Sequence, residues 1–123
     1  MSEIGLHHRD LDTPALWVEL DCLERNIAAL AQHFKATGVA WRPHTKGIKV
    51  PAIAHKLLAA GAHGITCAKL GEAEVMAAAG ITDILVANQI VTPSKIVRLV
   101  NLRAQVDVKV AVDDAANVSA IGE

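Results

Sequence analysis

Two stretches of this chain repeat one pattern. Ala59-Ala60-Gly61-Ala62-His63-Gly64-Ile65 and Ala78-Ala79-Gly80-Ile81-Thr82-Asp83-Ile84 each run from a helix end, through a glycine, into a new apolar segment. Glycine closes helices because it adopts the left-handed backbone that residues with a Cβ avoid. A short apolar run after such a stop reads as a strand covered on both faces. Repeated units of this kind imply right-handed βαβ crossovers and a parallel sheet.

The remaining sequence fits the same alternation. Residues 15–20 predict a first strand. Asp21, with Glu24 three residues on, predicts a capping box. The helix after it carries Leu23, Ile27, Leu30 and Phe34 on one face, and Gly38 stands where a C-terminal cap belongs. Residues 39–43 predict a second strand. Pro51 suits the first turn of a second helix, with Ile53, Leu57 and Leu58 inward and Gly61 as its stop. Strands are then expected over 64–68, 83–87 and 108–112. Helices are expected over 70–79, after Thr92-Pro93 with Ile96, Val97, Leu99 and Val100, and after Asp113-Asp114.

Composition supports a packed domain. Of 123 residues, 52% are hydrophobic, enough to bury a core. The aromatic residues are Trp17, Phe34 and Trp41, so aliphatic side chains must fill most of it. The net charge is −1 with the signs interleaved, which argues against nucleic acid as a partner. Cys22 and Cys67 form neither a disulfide framework nor a metal knuckle, which suits a reducing compartment. Met1-Ser2-Glu3-Ile4-Gly5 is not the start of a signal peptide, and no apolar run is long enough to span a membrane. A soluble cytoplasmic protein is expected.

Two α/β architectures fit five βα units. One is a small doubly wound sheet. The other is the N-terminal part of a TIM (β/α)8 barrel, which takes about 250 residues. Both gather function at the C-terminal ends of the strands. Here those ends are Glu19-Leu20-Asp21, His44-Thr45-Lys46, Cys67-Ala68-Lys69, Asn88-Gln89 and Asp113-Asp114. A receiver-type signalling domain has a similar size. It needs a phosphorylatable aspartate after the third strand, where this chain has Cys67-Ala68-Lys69.

Strand alternation would send Arg42, His44 and Lys46 to one side. Crowded positive charge and burial both favour a neutral lysine amine, which is a nucleophile toward aldehydes. The competing reading is a lysine that reaches from a strand end into solvent. The chain has no glycine-rich phosphate loop, nucleophile elbow or zinc ligand set. Cys67 reads as a buried apolar residue and Lys69 as a solvated helix start. His55 and His63 have no evident partner. Glu72 and Glu74, two apart on a helix, do not face each other.

The run Arg42-Pro43-His44-Thr45-Lys46, followed by Lys49-Val50-Pro51, resembles the lysine motif of the fold-type III pyridoxal-phosphate enzymes, whose barrel is alanine racemase N-terminal-like. Within them it resembles the D-threonine aldolase and D-serine dehydratase group. Leu11-Asp12-Thr13-Pro14-Ala15-Leu16, Asn26-Ile27, Gly71-Glu72-Ala73-Glu74, Ala79-Gly80 and Asp83-Ile84-Leu85-Val86-Ala87-Asn88-Gln89 continue the likeness in order. Gly47-Ile48 departs from it, standing where many relatives have a threonine-histidine pair.

The resemblance implies that residues 1–123 are the N-terminal portion of a barrel binding pyridoxal 5'-phosphate. The rest of the barrel and a β-rich second domain would be absent. Lys46 would be catalytic, holding the cofactor as an internal aldimine. His44, Arg42, Asn88 and Gln89 are the other candidate cofactor contacts. For each a structural role competes: ordering the strand end for His44, pairing with an acid for Arg42, and satisfying loop backbone for the two amides. A divalent metal would be held by residues outside this chain. The implied activity is a lyase or aldolase on 3-hydroxy D-amino acids. Alternatives are a D-serine or 3-hydroxyaspartate dehydratase, an amino-acid racemase, and a pyridoxal-phosphate-binding protein without turnover. An incomplete barrel exposes a sheet edge, so a homodimer or a chain completing the barrel is expected.

Overall fold

The computed structural model describes residues 4–122. Met1, Ser2 and Glu3, which open the stretch read above for a signal peptide, lie outside the described residues, as does Glu123.

The elements are α1 (Leu20–Thr37), α2 (Pro51–Ala59), β1 (Ile65–Cys67), α3 (Leu70–Ala78), β2 (Asp83–Val86), α4 (Pro93–Arg103), β3 (Asp107–Val110) and α5 (Ala115–Gly122). The strands form one sheet in the order β1-β2-β3. Both pairings are parallel, with Ile65 opposite Ile84 and Val86 opposite Val110. Parallel neighbours need a crossover, and α3 and α4 supply the two. The repeated glycines end their helices as expected, with φ of 100° at Gly61 and 87° at Gly80.

The main core lies between this sheet and its helices. Ile65, Cys67, Ala73, Ile84 and Val86 are fully buried, and Leu70, Met76, Ile81, Leu99 and Leu102 close around them. Each such large apolar side chain contributes about 1.5–3 kcal/mol through removal from water. A second, smaller cluster joins α1 to α2 through Ile27, Trp41, Ile53 and Leu57. Phe34 stacks on Trp41 there, with ring centroids 5.4 Å apart.

The first two predicted strands differ from expectation. Residues 15–19 form no strand, and Leu16 is 98% exposed. A strand needs a neighbour to take its backbone hydrogen bonds, and none of the described residues does so. Residues 39–43 are also outside any assigned strand, yet the chain here runs beside β1. His63 N–H donates to Trp41 O, Thr66 N–H to Pro43 O, and Thr45 N–H to Thr66 O, all within 2.8–2.9 Å. His44 and Thr66 form a single parallel bridge. Pro43 has no N–H to give, which interrupts the ladder.

The start of α1 also corrects the sequence. The helix begins at Leu20 with Glu19 as N-cap and no side-chain capping bond, so Asp21 and Glu24 do not form the predicted box. Asp21 sits in the first turn, where its charge favours the helix dipole, and Glu24 pairs with Lys56 of α2. Gly38 is the left-handed C-cap, φ 67°.

Candidate functional site

The site is built at the C-terminal ends of the parallel segments. Thr45 ends the segment beside β1 and is 3% exposed. Its Oγ1 donates to Thr66 O at 3.0 Å, the carbonyl that also accepts Thr45 N–H. Its own carbonyl accepts from both Ile48 N–H (3.0 Å) and Lys49 N–H (2.8 Å), so the chain turns tightly over it. Lys46 rides on this turn and is exposed. Among the described residues, its Nζ makes no hydrogen bond or ion pair.

His44 sits one step below. Its Nδ1 accepts from the Lys46 backbone N–H at 3.1 Å. A nitrogen that accepts carries no proton, so the neutral ring is protonated at Nε2. That bond fixes the strand end under Lys46, while the ring itself stays exposed.

Arg42 is placed at the other end of the sheet. Its guanidinium grips Asp83, the first residue of β2, at 2.8 and 3.0 Å. The row of three buried cations suggested by alternation is therefore not formed. The Arg42 guanidinium, opposed by partial burial and aided by Lys109, holds the Asp83 carboxyl down at about 2. His63 approaches the same carboxylate at 3.4 Å, a partner that the sequence did not reveal. Gly64 makes room for this cluster, since a Cβ there would lie 2.1 Å from Arg42 Nη1 and 2.7 Å from Asp83 O.

Asn88 and Gln89 follow β2 and lean on neighbouring strand ends. Asn88 Nδ2 donates to Ala68 O at 3.5 Å, and its Oδ1 accepts Gln89 N–H at 2.9 Å. Gln89 Nε2 donates to Asp113 Oδ2 at 2.9 Å. Asp114 receives Asn117 N–H in the first turn of α5, as a capping aspartate should. Cys67 is buried against Thr45 Oγ1 at 3.6 Å. Burial outweighs that contact and pushes its thiol up, which leaves it inert as a nucleophile.

The sequence named Glu72 and Lys49 but did not reveal that they pair in this region. Glu72 Oε2 accepts Ala68 N–H at 2.8 Å and Lys69 N–H at 3.2 Å, and its Oε1 lies 3.2 Å from Lys49 Nζ. Glu72 stands three residues after Lys69, the N-cap of α3, so the spacing of a capping box marks it. Glu74, by contrast, pairs with Arg98 of α4. A cavity of about 650 Å³ opens between α3, α4 and the β2–α4 loop, lined by Lys49, Glu72, Met76, Asn88 and Lys95 among others. Lys46 does not line it. No group of three potential metal ligands is found among the described residues. None of the described helices is long and apolar enough to cross a membrane.

The arrangement suits covalent capture of an aldehyde. It offers a primary amine in solvent, unpaired, on a turn anchored below by buried Thr45. Those features fit the anchoring part of a pyridoxal-phosphate site.

Known proteins match the same architecture. The D-threonine aldolase from Filomicrobium marinum superposes with a TM-score of 0.88 at 44% identity, over 91% of this chain and 30% of that one. The D-threo-3-hydroxyaspartate dehydratase from Delftia sp. HT23 superposes with a TM-score of 0.83, also at 44% identity, over 91% and 30%. In sequence, the D-threonine aldolase of Arthrobacter sp is 41% identical over 92% of this chain and 30% of its own length. The chain thus spans about 30% of the length of the curated relatives it matches. It is the parallel α/β portion of an alanine racemase-like barrel domain, not a doubly wound sheet. The family model for the alanine racemase N-terminal domain covers residues 18–123, and the chain belongs to that family.

Proposed function

We propose that this chain carries the cofactor anchor of a pyridoxal-phosphate-dependent lyase acting on 3-hydroxy D-amino acids, with aldol cleavage as the reaction. The observation that carries the reading is Lys46, an exposed and unpaired amine at the mouth end of the parallel segments. The relatives named D-threonine aldolase and 3-hydroxy-D-aspartate aldolase support the substrate class. Dehydration of a 3-hydroxy D-amino acid is the second reading, favoured by the 45% identity to the D-threo-3-hydroxyaspartate dehydratase of Delftia sp..

Lys46 would hold the cofactor aldehyde through Nζ, and its amine would be the group available to move a proton there. The chemistry supplied by pyridoxal phosphate, when bound, would be electron withdrawal from the substrate α-carbon. His44 keeps the Lys46 backbone in register. Asn88 and Gln89 hold the neighbouring loop against Ala68 and Asp113, giving the mouth a fixed rim. Arg42 acts at the far end of the sheet, where it anchors β2 through Asp83. Further barrel strands, from additional sequence or a partner chain, would cover the free edge of β3 and supply the phosphate cradle and any divalent-metal ligands.

The test is reductive trapping. The chain is incubated with pyridoxal phosphate, reduced with borohydride, digested and mapped by mass spectrometry, with Lys46→Ala as control. One adduct on Lys46, lost in the variant, is expected. Labels scattered over surface lysines and indifferent to the substitution would remove the anchor and the reading with it.

A further inference from the structure

Lys46 Nζ makes no hydrogen bond or ion pair among the described residues, so the backbone of its turn sets where its side chain starts. The near side of that turn is pinned by buried Thr45. The far side is bonded through its backbone to the Thr45 carbonyl but buries no side chain: Ile48 is 37% exposed and Val50 40% exposed, and Gly47 carries no side chain. Lys49 closes the turn with φ 54°, a left-handed backbone that residues with a Cβ adopt at a cost. The side-chain contact that adds to those backbone bonds is the ion pair of Lys49 with Glu72.

We propose that Glu72 is a positioning residue for Lys46, acting through Lys49 to fix the turn that presents the anchoring amine. The inference rests on the function proposed above for Lys46. One carboxylate joins two loops: one oxygen takes the Lys49 ammonium, while the other takes the two free N–H groups at the start of α3. The α3 start follows β1 directly, and β1 is fully buried. Glu72 therefore ties the exposed turn to the buried strand β1. Burial pushes the Glu72 carboxyl up, but the Ala68 N–H, Lys49 and the Lys69 N–H outweigh it and keep the group below the usual glutamate range. The charge that binds Lys49 is present across neutral pH. Lys49 itself is 59% exposed at its side chain, so water competes for the pair and the effect is partial, not all-or-none.

Two variants separate the link from the helix cap. Glu72→Gln keeps an oxygen for the two N–H groups and loses the charge. Lys49→Met leaves the cap untouched and removes the ammonium. Hydrogen exchange of the Ile48 and Lys49 amides reports the turn, and borohydride trapping with pyridoxal phosphate reports Lys46, scored against Lys56 in the same digest. Both variants should lower the protection of the two amides by about 1.5-fold to fivefold, the range of a weak, partly exposed charged contact. Labelling of Lys46 relative to Lys56 should fall with it, while the helical circular dichroism stays at the parent level. Unchanged protection in Lys49→Met overturns the link even if Glu72→Gln unfolds α3. Lower protection with unchanged Lys46 labelling overturns the positioning role. If the parent chain shows no Lys46 adduct, the anchor reading fails, and the exchange data alone still decide whether Glu72 holds the turn.

Discussion

The two halves of this chain use the same alternation of apolar segments and glycine stops, yet they pack differently. From Ile65 onward, strands pair with strands and helices cross between them. Ile65, Ile84 and Val86 are fully buried there. Before Ile65, α1 buries Ile27 alone, Leu30 is 47% exposed, and residues 15–19 join no strand. Helix α1 is the longest in the chain, so helix length is not what distinguishes the halves. The difference lies in neighbours. An apolar face yields stability only against another face, and the first half has one small cluster to meet.

That contrast predicts unequal responses to substitution. Ile84→Ala, in the middle of the sheet, should destabilise by about 2–5 kcal/mol, because a cavity is left where neighbours cannot collapse. Leu30→Ala should cost under about 0.5 kcal/mol in the same urea titration. Equal losses would mean that the first half shares the main core after all.

Next in size is Gly64→Ala, at the hinge between the halves. The added Cβ would meet Arg42 and the Asp83 backbone, so a loss of about 1–3 kcal/mol is expected from overpacking. A neutral result in thermal melts would show that Arg42 and the backbone at Asp83 both give way without penalty.

The Asp83 cluster sharpens the comparison through pH. Its carboxyl is lowered from 3.8 to about 2 in the folded chain. A group lowered on folding stabilises above its unfolded value, and that contribution is lost as pH falls through the folded one. Because solvent reaches the cluster, about 1 kcal/mol should disappear between those limits. Acid titration of Asp83→Asn should lack that component. An identical acid profile for the variant and the parent would remove the cluster from the stability of the second half.

Smallest of all, Leu16→Ser should change stability by under about 0.5 kcal/mol, because the side chain is exposed before the change. A larger loss by calorimetry would mean that residues 15–19 have a partner in solution.

Much of this was legible in the residues. The glycine stops at Gly38, Gly61 and Gly80 and the proline starts at Pro51 and Pro93 mark element ends through backbone rules that act within a few positions. The lysine-bearing turn was legible too, since Lys46 follows an apolar segment and a proline. The first strand was not, because Ala15-Leu16-Trp17-Val18 has strand-like residues whose pairing depends on chain elsewhere in space. The capping box at Asp21 failed for a similar reason: Glu24 has the choice of Lys56 from α2.

What the sequence determined alone was therefore local: periodicity, stops, and a lysine on the turn that follows an apolar segment. Only the tertiary structure decided which charge meets which. Arg42 turns to Asp83, 41 residues away, and so leaves the neighbourhood of Lys46. Glu72 reaches from α3 to Lys49 and ties the Lys46 turn to β1. Local rules act over one helical turn, whereas ion pairs form between whatever the fold brings within a few ångströms, and that distance is not written in sequence spacing.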